Sequence, residues 1–328
     1  MSYTSQNTFP RSVSVDKVRE IIFLLGYEKI NDGLRVPNRN GSFLWFCSDD
    51  YKSYSGVELD LYSTGSGQVT VSTRSTAGRS YWDLSQQNKT IKLLRDIFGG
   101  HFETDSGRNR CMRPNGKPPT NLSAGCYLAR RRFHNALLSA RTYIDSRVGE
   151  NARQKPTGLH FLDVMNTRLF SNNLILPYVV GIWEDYFKLT FEVLLRYSKA
   201  RETTLKRARL TSDQLNAVAL GECSIEQALA ASHSFQRPSA ISEHFRVLDP
   251  KLDVAGMLRR PYRRRKKTLF DTIEELVECR NEFVHTGNIN TNFVDGALGS
   301  AIVDFEAAID RVYEGIARHY GHQPITRY

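Results

Sequence analysis

The chain has 328 residues, 40% hydrophobic and 11% aromatic, with a formal net charge of +10. That is enough apolar material for two packed domains, while no run approaches the roughly 18 apolar residues of a membrane span. Five scattered cysteines without C-x-x-C spacing support neither a disulfide framework nor a zinc site, and the polar N-terminus does not read as a secretory signal. The expectation is a cytoplasmic protein with reduced thiols, no metal and no other cofactor.

The charge is unevenly spread. Residues 1–112 hold 14 Lys and Arg against 12 Asp and Glu, residues 113–170 hold 10 against 3, and residues 171–328 hold 21 against 20. A basic excess in the middle suits a polyanion, with nucleic acid the first candidate. The alternative is a solvated basic face.

In chain order, residues 1–12 are polar and read as disordered. An amphipathic helix follows over 13–27, capped by Ser14, striped by Val18, Ile21, Ile22 and Leu25, and ended by Gly26. A strand is expected over 42–47. Alternation over 57–62 and 68–73 around the Gly/Ser loop 63–67 predicts a hairpin. A helix over 84–98 ends at Gly99-Gly100, and 101–104 reads as a last strand. Together these predict a small α+β domain over 1–112, an accessory or sensor module by position. Arg74, Arg79, Tyr81 and Trp82 mix cations with aromatics there, which fits a ligand or nucleic-acid surface or a packed domain edge.

The Pro/Gly-rich stretch 112–120 reads as a linker. One long helix over 123–147 then carries Arg130, Arg131 and Arg132, a triplet that must spread over more than half its circumference. With the polar loop expected over 149–158, these form a middle segment, 113–159. The C-terminal domain, 160–328, reads as all helical. Its long apolar helix over 174–197 places Asp185, Lys188, Glu192 and Arg196 on a solvated face and Glu184 at the edge of the apolar one. Further helices are expected over 205–220, 224–231 and 292–320. Arg259, Arg260, Arg263, Arg264, Arg265, Lys266 and Lys267 put seven cations in nine residues. Cations at a helix N-terminus oppose its dipole, so phosphate contact explains them better, with Tyr262 available to stack.

The helix after this run has Leu269, Phe270, Ile273, Leu276, Val277, Phe283 and Val284 as its apolar positions. Arg280 falls inside that stripe, where a guanidinium needs partners. Asn281 and His285 lie four apart on one edge, and Gly287 reads as the stop. Arg280-Asn281-x-x-x-His285, with the acid-bearing helix around Glu184, resembles the signature of the HEPN ribonucleases over about half the chain.

The resemblance implies that the C-terminal half is a HEPN-like helical bundle, so that with the small N-terminal α+β domain the fold overall is α+β. It implies a metal-independent endoribonuclease in which the ribose 2′-hydroxyl attacks the adjacent phosphate, leaving 2′,3′-cyclic phosphate and 5′-hydroxyl ends. His285 would transfer protons, since imidazoles titrate near neutrality. Arg280 would stabilise charge on the phosphoryl oxygens, Asn281 would orient the histidine or the scissile phosphate, and Glu184 would hold Arg280. The expected partners are RNA, a second copy completing the site, and a regulatory partner or trigger, as in toxin or antiviral effectors. A non-catalytic RNA-binding or dimerisation module on the same scaffold is the competing expectation.

Overall fold

A computed structural model describes residues 2–31, 33, 36–65, 67–114, 116–147 and 156–325, with only the backbone of His160. Ser66, Asn115 and most of the loop expected over 149–158 lie outside them. The chain divides into two compact units, residues 1–124 with 325–328, and residues 125–324.

The first unit contains β1 (Tyr3–Thr8), α1 (Val15–Leu24), β2 (Glu28–Ile30), β3 (Arg39–Trp45), β4 (Val57–Ser63), β5 (Val69–Ser75), α2 (Tyr81–Phe98), β6 (His101–Thr104) and β7 (Gly107–Arg108). The strands form one sheet in the order β2-β3-β4-β5-β1-β6-β7, antiparallel at each pairing. Val18 and Ile22 of α1 and Leu94 of α2 pack on Val57, Leu59, Leu61, Val69 and Val71 of the sheet. Ser14 caps α1 by accepting from Lys17 N. Ser80 and Asp83 close a reciprocal capping box on α2.

The segment expected to be disordered is instead β1, paired on both sides. Its inward residues are polar and hide the strand from a hydrophobicity reading. Buried Ser5 hydrogen-bonds Thr73, and the Asn7 side-chain amide donates to Ile91 O at 2.9 Å. The Ser5 hydroxyl and the Asn7 Nδ2 are tolerated inside because each has a partner, while Asn7 Oδ1 is buried without one among the described residues.

The second unit is a helical bundle, so the chain as a whole is an α+β unit followed by an all-helical one. It comprises most of α3 (Asn121–Asp145), then α4 (His160–Asp163), α5 (Thr167–Tyr197), α6 (Arg201–Arg207), α7 (Ser212–Ala219), α8 (Ile225–Ala231), α9 (Pro238–Leu248), α10 (Val254–Arg259), α11 (Leu269–Thr286) and α12 (Asp295–His319). The stretch expected as one helix over 205–220 is two, α6 and α7, and α9 and α10 were not foreseen.

The central element is α5, which packs against α8, α9, α11 and α12. Trp183 stacks edge-on with Phe187 and with Phe305 of α12, at centroid distances of 4.6 and 5.3 Å. Every residue from Thr190 to Leu195 is buried, as in a helix covered on all sides. That overturns the solvated face assigned to Glu192, which is only 6% exposed. Burial pushes its carboxyl up to about 7. No helix among the described residues is long and apolar enough to cross a membrane.

Candidate functional site

The helix that carries the motif is well delimited. Thr268 caps α11 by accepting from Asp271 N, and the Asp271 carboxylate accepts from Thr268 N in return. Gly287 ends it in the left-handed region at φ 73°, its N–H donating to Phe283 O, a conformation that glycine adopts without a Cβ penalty. Leu269, Phe270, Ile273 and Val277 are buried. Toward its C-terminus the helix leaves the core, Val284 being 48% exposed. Arg280 and Asn281 are half-buried and His285 is exposed.

Arg280 is therefore not enclosed in the apolar stripe, and Glu184 does not pair with it. The link is indirect. Arg280 Nη1 donates to Asn281 Oδ1 at 2.8 Å and to Gln236 Oε1 at 3.4 Å. Gln236 Nε2 donates in turn to Glu184 Oε2 at 3.2 Å, and Phe235 N donates to Glu184 Oε1 at 3.4 Å. An amide thus stands between the carboxylate and the guanidinium. Gln236 is itself fixed by its main chain, whose carbonyl accepts from Trp183 Nε1 at 3.0 Å. The next residue, Arg237, ties the same loop to α11 through Glu274 and Glu278.

This arrangement leaves Arg280 held by neutral groups. Its Nε is buried without a hydrogen-bond partner, and it has no carboxylate partner among the described residues. A guanidinium fixed by amides keeps its full charge and spare donors for an incoming anion. His285, one turn beyond Asn281, has no hydrogen-bond partner among the described residues. Gln236 escaped the sequence reading because it lies 44 positions from Arg280, in a loop with no periodicity or motif to mark it.

The basic run lies at the other end of α11. At 1.5 Å per residue, the 18 residues of α11 separate it from His285 by about 27 Å. Much of the run has structural duties. Arg265 donates to Asp304 Oδ2 at 2.6 Å, and Asp304 is 2% exposed. Lys267 pairs with Glu275 at 2.7 Å, and Arg259 lies over the Phe270 ring at 4.2 Å. Tyr262, expected to stack on bases, is surrounded instead by Arg263, Arg265 and Arg311, with guanidinium carbons 5.0 to 5.5 Å from its ring. Arg311 also donates to the Arg260 and Pro261 carbonyls. Arg260, Arg264 and Lys266 are exposed and have no side-chain partner among the described residues.

The arginine triplet of α3 is likewise engaged. Arg130 pairs with Asp310 of α12 and Arg132 with Asp185 of α5, at 2.7 and 2.8 Å. His134 joins Asp310 at 2.9 Å. Although burial opposes it, hydrogen bonds from His134 and Arg130 hold the Asp310 carboxyl below the usual carboxylate range. Arg131 is half-buried. The basic excess of the middle segment therefore largely neutralises acids that lie far along the chain, and the triplet is bundle architecture before it is a phosphate surface.

The described residues contain no group of three or more His, Cys, Asp or Glu side chains placed to hold a metal ion. Compared with protein-family models, with curated proteins and with solved structures, the chain matches none.

Proposed function

We propose that the helical unit is a HEPN-type endoribonuclease domain, with Arg280, Asn281 and His285 at the reacting phosphate. The observation that carries this reading is the Arg280 guanidinium: amide-held, without a carboxylate partner among the described residues, and on the same helix as the exposed His285 imidazole. In the reaction the ribose 2′-oxygen forms a bond to phosphorus as the bond from phosphorus to the 5′-oxygen breaks. A base removes the proton from the 2′-oxygen and an acid delivers one to the departing 5′-oxygen. Arg280 stabilises the charge that builds on the non-bridging oxygens. His285 supplies one proton-transfer group, and a second copy of the chain supplies the other.

An exposed apolar face beside the motif supports that second copy. Phe170, Leu174 and Tyr178 recur four apart along α5 and are 45%, 49% and 40% exposed. Phe170 meets Phe283 of α11 at 6.2 Å, which joins this stripe to Val284 and the His285 turn. Apolar surface of this kind marks association sites.

The test is incubation of the purified protein with mixed RNA in EDTA and mapping of the new ends. Cyclic phosphate ends that vanish with His285→Ala support the proposal. No cleavage, or equal cleavage by the variant, sinks it. Among the described residues no side chain orients His285, which favours a second reading, a non-catalytic RNA-binding module. It requires salt-sensitive RNA binding that depends on Arg264 and Lys266 and ignores His285.

A further inference from the structure

The first unit holds a groove that the cleavage chemistry leaves unused. It is open, about 910 Å³, and lined by Tyr3, Asn88, Arg110, Met112 and Arg113 among others. Small-molecule sites commonly occupy roughly 300–1,000 Å³. A smaller adjoining pocket shares Tyr3 and Arg113 and adds Arg79. No acidic residue lines either.

Two parts of this groove are prepared for different halves of one ligand. The first is Tyr3, on β1. The Arg79 guanidinium lies 3.6 Å from its ring centroid. Arg79 is only 6% exposed and donates to Thr76 O at 2.6 Å, so the stack is built into the fold. An aromatic ring backed by a fixed cation is a platform for a flat, electron-rich ring.

The second part is the segment after β7. Thr104 Oγ1 donates to Arg110 O and Asn88 Nδ2 donates to Met112 O, both at 2.6 Å. These bonds pin the backbone that presents Arg110 and Arg113. Both arginines are exposed, and neither has a side-chain partner among the described residues. Paired guanidinium forks match phosphate oxygens. The nearby N-terminus of α2 contributes little, because Ser80 and Asp83 already satisfy it.

We propose that this groove binds a mononucleotide, its phosphates on Arg110 and Arg113 and its base against Tyr3. A single aromatic platform beside two arginines favours one nucleotide over a polymer track.

The experiment is calorimetric titration of the full chain with ATP, GTP, CTP and UTP in turn. At least one is expected to bind once per chain with Kd below about 100 μM. The double variant Arg110→Ala/Arg113→Ala should weaken it by at least about tenfold at unchanged Tm, since both side chains are exposed. Tyr3→Leu should weaken it too, and His285→Ala should bind as the wild type does. The proposal is overturned if no nucleotide binds at about 1 mM, or if the double variant binds equally well. It is also overturned if inorganic triphosphate competes as strongly as the nucleotide, or if His285→Ala abolishes binding.

Discussion

Gln236 and Glu192 are the side chains whose roles only the fold reveals. Gln236→Leu removes the amide between Glu184 and Arg280 but keeps the main-chain carbonyl that Trp183 holds. Under the proposed chemistry, RNA turnover should fall roughly ten- to a hundredfold with RNA affinity and Tm little changed. Turnover equal to wild type would show that the bridge does not position Arg280. Glu192 makes a pH prediction. Its carboxyl is pushed up to about 7 in the fold, against an ordinary 4.5. The folded state therefore keeps a proton that the unfolded chain has lost. Stability falls as pH rises from 4.5 to 7, and the penalty is complete above 7. Glu192→Gln removes a penalty of at most about 3 kcal/mol, so it should raise Tm at pH 8 and leave it unchanged near pH 4. A Tm gain of the same size at both pH values would refute this assignment.

At the scale of elements, α11 rests on its two ends. Thr268→Ala removes the capping box and should cost about 1 kcal/mol in denaturant unfolding. Gly287→Ala, which puts a Cβ at φ 73°, should cost a similar amount. The basic run that leads into α11 divides by function. Arg265→Ala leaves Asp304 buried without its counter-ion and should cost about 2 kcal/mol, moderated by the partial solvation of Arg265. Lys266→Ala should change stability by less than about 0.5 kcal/mol and, under the proposed function, act on RNA binding alone.

This division also shows how far the elements could be read from the residues. The hairpin β4–β5, α2, α12 and α5 from residue 174 on announce themselves by period, and Gly287 is legible as the stop of α11; the first turns of α5, from Thr167, lie before its apolar run. β1 is not, because Ser5 and Asn7 satisfy their inward positions with hydrogen bonds rather than apolar contact. Nor is the fate of Arg130 or Arg265, because their carboxylate partners lie 180 and 39 positions away. Arg280, Asn281 and His285 were identifiable from spacing on one helix. Their bridge through Gln236 depends on a tertiary contact that no local pattern encodes.

At the scale of the whole molecule, the apolar stripe of α5 predicts the state of association. Under the proposed function, Leu174→Glu should convert a dimer into a monomer in light scattering at micromolar concentration and reduce cleavage in parallel. A wild-type protein that is monomeric throughout that range would leave the stripe without the role assigned to it. The length of α11 has its own consequence for the substrate. A stacked strand advances about 3.4 Å per nucleotide, so the span from Lys266 to His285 corresponds to about eight nucleotides. Oligonucleotides shorter than this cannot touch both ends of the helix within one chain. Their cleavage should lose its dependence on Lys266 and flatten with salt, while longer ones retain both. Under the proposed function, substrate length, rather than base sequence, would then be the first thing the helical unit measures.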